Sequence, residues 1–195
     1  KRPGTSHLVA LSFRASATEA KPEEQTFTID SKSRIVIGTT AQEVEQTACC
    51  ELMHYLSGML GSPLSQLTLQ NNKNVQSGDI IVGTPKTSQC VRFFEKQLEL
   101  SSIKNDGFVV RPMTYDGAKI LVIAANEPRG VLYGVYGLLE ALGVNVHLET
   151  AVLPTAPSFT LFGSLRENAF FKHRAGGIID GILKFWDPVS DDDLE

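Results

Sequence analysis

The residues from Asp106 to Val144 constrain the fold more than any other part of this sequence, because they specify a strand, a turn, a second strand and a helix in succession. Residues 108–113 and 119–125 are rich in β-branched and apolar side chains. Between them, Asp116-Gly117 supplies the positive φ angles that a tight turn requires. We therefore expect an antiparallel hairpin here.

The helix expected after this hairpin has three different faces. Pro128 suits its first turn and Gly143 suits its end. The face predicted to pack on the sheet is apolar and consists of Val131, Leu132, Val135, Leu138, Leu139 and Leu142. The third face carries Arg129, Tyr133, Tyr136 and Glu140. We interpret it as a solvated or domain-contacting face, with direct ligand contact as the alternative.

The remaining face of this helix is a stripe of Gly130, Gly134 and Gly137. Each glycine inside a helix costs roughly 1 kcal/mol relative to alanine, so the stripe requires a compensating contact. We expect another backbone to approach closely there, from the sheet or from a neighbouring domain.

The preceding residues predict the rest of the layer. Short strands are expected at 25–29, 34–37 and 79–82, with an extended piece at 64–69. A helix is expected from about Ala41 to Leu60, capped through the Thr40-x-x-Glu43 spacing, and a shorter one over 91–100. The predicted architecture is an α+β fold, in which a mixed, mainly antiparallel sheet is covered on one face by two long helices and followed by an irregular C-terminal tail.

Composition excludes several classes of function. The net charge of −4 and the absence of a bilayer-length apolar run give no indication of a nucleic-acid or membrane partner. Three cysteines, Cys49, Cys50 and Cys90, do not form an even disulfide framework, so free thiols are favoured, and one bridge to Cys90 stays open. No metal-ligand spacing is present, and His54 is interpreted as structural. Gly38 and Gly83 each end a strand, and without a phosphate-binding motif they predict no cofactor.

The hairpin and helix together resemble a known type of domain. The matching residues are Gly107, Phe108 and Val110 in the hairpin, followed by Gly130, Tyr133, Gly134, Leu138, Leu139, Glu140, Leu142 and Gly143 in the helix. This pattern is similar to the small α+β domain that precedes the catalytic barrel in exo-acting glycoside hydrolases, namely the family 20 β-hexosaminidases and the α-glucuronidases. The motif is structural and does not itself carry catalysis.

The resemblance implies a domain organisation. Residues 1–24 would form an N-terminal arm, 25–150 the α+β accessory domain, and 151–195 a linker with the first segment of a truncated catalytic barrel. The partner would be the C-terminal barrel of the same polypeptide, which would bind the carbohydrate, and the natural chain would continue past residue 195. A secreted or periplasmic location is favoured by the same resemblance.

The tail contains the candidate site residues. In family 20 enzymes a proline-containing linker leads to an aromatic-x-Arg-Gly segment and a nearby Asp, so the resemblance implies that Arg174 and Asp180 contact the terminal sugar. Here Arg-Ala-Gly-Gly replaces Arg-Gly, which leaves the register of Asp180 open. No catalytic residue is assigned, because glycoside hydrolysis normally needs two carboxyl groups on a barrel of about 250 residues. We expect the chain to be inactive alone. The alternative is a free-standing carbohydrate- or protein-binding module that uses Tyr133 and Tyr136, or Trp186.

Overall fold

The computed structural model of the protein describes residues 26–104, 106–146 and 151–168, and the structural statements that follow refer to these residues. The N-terminal arm expected at 1–24 and the interpretation of residues 169–195 lie outside them. The strands and helices, in chain order, are β1 (Thr26–Asp30), β2 (Arg34–Gly38), α1 (Glu43–Leu60), β3 (Ser65–Leu69), β4 (Asp79–Gly83), α2 (Gln89–Phe94), β5 (Phe108–Tyr115), β6 (Ala118–Ala125), α3 (Pro128–Ala141), β7 (Asn145–Val146), β8 (Ala151–Val152), β9 (Ser158–Phe162) and β10 (Leu165–Glu167).

The largest sheet is open and has six strands in the order β10-β5-β6-β4-β2-β3. Strands β3, β2, β4 and β6 are mutually parallel, whereas β5 and β10 run antiparallel to their neighbours. Two further antiparallel pairs join β1 to β9 and β7 to β8. The fold is therefore α+β with mixed, mostly antiparallel sheets, as predicted. The parallel strands follow from the crossover connections, because parallel neighbours cannot be joined by a tight turn.

The central hairpin has the predicted form. Strands β5 and β6 pair over their whole length, and Tyr115 lies opposite Ala118 across the turn. Asp116 and Gly117 both have positive φ angles, of 48° and 76°. Two successive residues with positive φ produce the turn twist that matches the right-handed twist of paired strands.

Each face of the six-stranded sheet is covered by apolar side chains. Helices α1 and α3 cover one face, as predicted for the two long helices, and their cluster includes Leu52, Leu56, Val131, Val135, Leu138 and Leu139. The other face is covered by α2 and the turns after it, through Val91, Phe94, Leu98 and Leu100. Helix α2 ends at Phe94, earlier than the predicted Leu100, although Leu98 is buried as expected.

The glycine stripe of α3 contacts the hairpin. A Cβ atom at Gly130 would lie 2.6 Å from the carbonyl oxygen of Gly107, and one at Gly137 would lie 2.7 Å from Cζ of Phe108. Side-chain carbons do not approach other atoms so closely. The compensating contact for these glycines is therefore the sheet, on which α3 lies directly.

Helix α1 begins two residues later than the Thr40-x-x-Glu43 spacing predicts. Its N-cap is Gln42, whose backbone N–H donates to Oε2 of Glu45 at 2.8 Å. The prediction of Thr40 as the cap was wrong because the Thr40 hydroxyl donates to the carbonyl oxygen of Thr87 instead, at 3.1 Å.

The described part of residues 151–195 pairs with the strands of the domain. Strand β9 pairs with β1, and β10 forms one edge of the six-stranded sheet beside β5. The start of the tail is therefore attached to the sheet at a defined position. The division expected at residue 150 stays a prediction.

The three cysteines are free. Cys49 and Cys90 are buried, whereas Cys50 is exposed on α1. Burial, followed by the nearby Cys50 and Glu45, raises the pKa of the Cys49 thiol to about 12. Among the described residues, no helix is both long enough and apolar enough to cross a membrane.

Candidate functional site

The first candidate region lies where β2 and β4 end side by side, and a buried carboxylate occupies it. Glu45 is fully buried at the start of α1. Its Oε1 accepts from the backbone N–H of Thr84 at 3.0 Å and from the hydroxyl of Thr87 at 2.5 Å. Since Oε2 accepts from Gln42, one side chain joins the loop after β2, the loop after β4 and the helix.

This carboxylate fills the position in which an external anion would be bound. Loops at the carboxyl ends of parallel strands commonly hold ligands, and their backbone N–H groups favour anions. Here the N–H of Thr84 already donates to Glu45, and a Cβ at Gly38 would overlap the carbonyl group of Thr87. The strand-Gly-Thr repeat at Gly38 and Gly83 is therefore a closed structural junction.

A second buried carboxylate lies at the opposite end of the same strands. Asp79 is fully buried and forms a two-pronged ion pair with Arg34, at 2.7 Å from Nε to Oδ1 and 2.9 Å from Nη2 to Oδ2. The Asp79 carboxylate also accepts from the backbone N–H of Gln76 at 2.8 Å. Its lone pairs are thus used in fixing β2 against β4.

A groove lies along the outer face of α3, on the face that the sequence singled out. It has a volume of about 170 Å³ and is lined by Asp106, Gly107, Phe108, Tyr133, Tyr136, Gly137, Glu140 and Glu167. Helix α3 forms one wall of the groove, and the start of β5 and the end of β10 form the other. Arg129, on the same helix, forms an ion pair with Asp106 at 3.4 Å. The groove thus combines aromatic rings with carboxylates.

Tyr136 connects the groove to helix α1. Its hydroxyl donates to Oε2 of Glu51 at 3.0 Å. Partial burial of the ring, and then the hydrogen bond to Glu51, raise the pKa of Tyr136 to about 12. The hydroxyl therefore stays protonated near neutral pH and acts as a donor.

The other residues selected from the sequence have simpler positions. His54 is exposed on α1 and contacts the ring of Tyr55 edge-on, at 5.3 Å between centroids. Within the described ranges, no group of His, Cys, Asp and Glu side chains could hold a metal ion. Arg174, Asp180 and Trp186 lie outside the described residues.

Glu45 and its partners were missed by the sequence analysis. Glu45 and Thr87 are 42 positions apart, so no local spacing relates them. One sequence signal could have pointed to this contact. Two strands end in the same Gly-Thr segment, and the helix between them has an acidic residue, Glu45, in its first turn.

Residues 17–138 match the family described as Glycosyl hydrolase family 67 N-terminus. The chain therefore belongs to that family. No curated protein matches the sequence.

Three solved structures are similar to this chain, and the first of them supports the fold. A family GH115 4-O-methyl-alpha-glucuronidase, BtGH115A, with specificity for decorated arabinogalactans, is 23% identical with a TM-score of 0.52, and the match covers 72% of this chain and 18% of that one. The GH20 exo beta-N-acetylglucosaminidase from Vibrio harveyi, in complex with N-acetylglucosamine, is 13% identical with a TM-score of 0.45, covering 79% and 18%. CpGH84D is 14% identical with a TM-score of 0.49, covering 82% and 25%. The chain thus spans a quarter or less of the length of these proteins.

Proposed function

We propose that this chain is the non-catalytic N-terminal domain of an exo-acting glycoside hydrolase, and that it supports a catalytic barrel which follows it in the same polypeptide. The observation that carries the proposal is the match of residues 17–138 to the family 67 N-terminus. The likeness of the fold to part of a much longer glucuronidase supports a role as one domain of a larger enzyme.

The use of the buried carboxylates supports a non-catalytic role. A glycosidase acid or nucleophile must be free to contact the substrate. Among the described residues the fully buried carboxylates are Glu45 and Asp79, and each accepts three internal hydrogen bonds. Neither is placed to act on a sugar.

The remaining parts of the proposal concern the tail. Arg174 and Asp180 would contact the terminal sugar from the start of the barrel, because a guanidinium fork suits paired hydroxyl groups. The carbohydrate would bind through the barrel, in a secreted or periplasmic enzyme. No nucleic-acid or membrane partner is included in the proposal, since the net charge is −4.

Hydrolysis assays test this function. Aryl hexosaminides and aryl glucuronides would be offered to the 195-residue chain and to the polypeptide encoded by the complete gene. We expect turnover only by the longer polypeptide, reduced at least tenfold by Arg174→Ala through loss of a charge-assisted contact. Turnover by the 195-residue chain alone would refute the non-catalytic assignment.

The groove on α3 favours a second candidate, a carbohydrate-binding module. Aromatic rings beside carboxylates are the side chains with which proteins stack on and hydrogen-bond sugars. Binding of the isolated chain on a glycan array, lost in Tyr136→Ala and kept in Tyr115→Ala, would support it, because Tyr115 lies away from the groove against Phe93 and Phe94. Binding lost only in Trp186→Ala would place the sugar on the tail instead.

A further inference from the structure

Two side chains attach the exit strand β10 and the residue after it to the domain, in addition to the pairing of β10 with β5 and the packing of Leu165 on the core. The strand has three residues, Leu165–Glu167, which pair with β5. So short an edge strand contributes few backbone hydrogen bonds. Two side chains of this segment, those of Arg166 and Asn168, reach back to the loop that precedes β5.

Arg166 makes three contacts with this loop. Its Nη1 donates to Oε2 of Glu99 at 3.1 Å, and its Nη2 donates to the carbonyl oxygen of Glu99 at 2.8 Å and to the hydroxyl of Ser102. A planar guanidinium can donate to several acceptors spread along its edge, whereas a compact ammonium group cannot reach them all at once. Glu99 has a left-handed backbone with φ of 53°, which a non-glycine residue rarely adopts. This conformation allows both its carbonyl and its carboxylate to accept from the same arginine.

Asn168 holds the next position of the chain. Its Oδ1 accepts from the backbone N–H of Lys104 at 2.8 Å, and its Nδ2 donates to the carbonyl oxygen of Ser102 at 3.4 Å. An asparagine that both accepts from and donates to backbone groups is fixed in orientation. Both the oxygen and the nitrogen of the side-chain amide therefore attach Asn168, the last described residue, to the domain.

Gly107 gives the space that this arrangement needs. A Cβ at Gly107 would lie 2.6 Å from the carbonyl oxygen of Glu167 and 2.9 Å from Oδ1 of Asn168. Any side chain here would push the exit strand off the loop. The first glycine of the hairpin motif is therefore explained by the approach of β10.

We propose that Arg166 and Asn168 are positioning residues, which form an exit clamp on the loop at 99–104 and make the chain after Asn168 leave the domain in one fixed direction. The purpose of that direction, to orient a catalytic barrel, rests on the proposed function; the clamp itself does not. Gly107 and Glu167 also line the groove on α3, so the clamp fixes the chain beside that groove.

A distance measurement in the 195-residue chain tests the clamp. Spin labels would be placed on the exposed native Cys50 and on Ala169→Cys, since the buried Cys49 and Cys90 resist labelling under native conditions. Double electron–electron resonance then reports the distribution of distances from α1 to the exit. We expect one narrow distribution, which becomes at least roughly twofold wider in Arg166→Ala with Asn168→Ala, because the short strand then opens locally.

A matched control is available on the neighbouring strand. Arg111 of β5 donates to the carbonyl oxygen of Gln97 at 2.7 Å, so its side chain also binds a backbone carbonyl near the same loop but is not one of the two clamp side chains. Arg111→Ala should leave the distribution narrow. Gly107→Ala should widen it although both clamp side chains are intact. Arg166→Lys should not restore the narrow distribution, because the ammonium group cannot reproduce the fan of contacts.

Hydrogen exchange provides a second readout that a purely global effect would not reproduce. In the double variant, the amides of β10 and of Lys104 should exchange roughly tenfold faster, while those of α1 and α3 keep their rates. An unchanged distance distribution together with unchanged exchange at β10 would overturn the clamp. Exchange that rises equally in all elements would also overturn it, because that result describes a loss of global stability. Glycoside turnover enters neither readout, so failure of the proposed function is distinguished from failure of the clamp.

Discussion

The replacement Glu45→Gln is the most informative test of how the sheet is held together, because it keeps the size of the side chain and removes its charge. The carboxylate accepts three hydrogen bonds in a fully buried position. A hydrogen bond to a charged group contributes about 1.5–3 kcal/mol, against about 0.5–1.5 kcal/mol for a neutral one. The two bonds that an amide oxygen can still accept therefore weaken by about 1 kcal/mol each.

The third bond is lost altogether. When the amide oxygen takes the place of Oε1 and keeps the bonds from Thr84 and Thr87, the amide nitrogen faces the partly buried N–H of Gln42, and the loss of that acceptor costs about 1 kcal/mol, the low end for a buried donor. The sum is about 3 kcal/mol of unfolding free energy. For a chain of this length that lowers the melting temperature by roughly 10 °C.

Urea and thermal unfolding followed by circular dichroism would measure this loss. Glu43→Gln is the matched control, because Glu43 lies exposed in the same first turn and loses only a helix-dipole interaction of about 0.3–1 kcal/mol. If Glu45→Gln unfolds within 1 kcal/mol of that control, roughly the limit of a surface effect, the carboxylate is not the structural junction described here.

Further expected outcomes concern the other close contacts. Gly137→Ala should lower stability by about 1–3 kcal/mol despite the better helix propensity of alanine, because its Cβ would lie 2.7 Å from an aromatic carbon. Gly58→Ala is the control and should not lower stability, since its Cβ would lie 3.2 Å from a flexible leucine methyl; denaturant midpoints of the two variants would measure the difference. Arg34→Met should cost about 3–5 kcal/mol by leaving Asp79 buried without its partner, and recovery of much of this loss in Arg34→Met with Asp79→Leu would show that the buried charge is the cause. The phenol of Tyr136, with its pKa raised to about 12, should stabilise the fold fully below pH 10 and lose that contribution between about 10 and 12. In an ultraviolet titration, the transition missing from Tyr136→Phe should therefore lie near pH 12, and a midpoint near 10 would contradict the assigned contact.

The parts of the fold that were predicted correctly are those with local causes. The hairpin depends on two adjacent residues with positive φ, and α3 depends on an apolar repeat, a first-turn proline and a terminal glycine. Each of these signals lies within a few positions of the structure that it determines. For the same reason the resemblance to an accessory domain could be recognised, since its motif is the hairpin and α3.

The remaining features depend on contacts distant in sequence. The four parallel strands are brought together by crossovers, and neither strand length nor polarity states which strands become neighbours. Strand β10 pairs with β5, and its Arg166 binds Glu99, which lies 67 positions earlier in the loop that precedes β5. The N-cap of α1 is Gln42 and not the predicted Thr40, because the Thr40 hydroxyl donates to the carbonyl oxygen of Thr87 in another loop. Arg174 and Asp180 stay predictions.

The positions of the buried carboxylates also indicate where this domain can act. In open sheets of parallel strands, ligands bind at the carboxyl ends of the strands. Here the junction where β2 and β4 end is sealed by Glu45, and the opposite end is fixed by Asp79. With both ends of β2 and β4 used for internal contacts, the described residues still form two concave surfaces. One is the groove on α3, which the exit clamp borders, and the other lies between the loops after β4 and β6, where Lys86, Arg92 and Glu127 line it. The role proposed above, support of a neighbouring domain, would use these outer surfaces and the position at which the chain is held at Asn168.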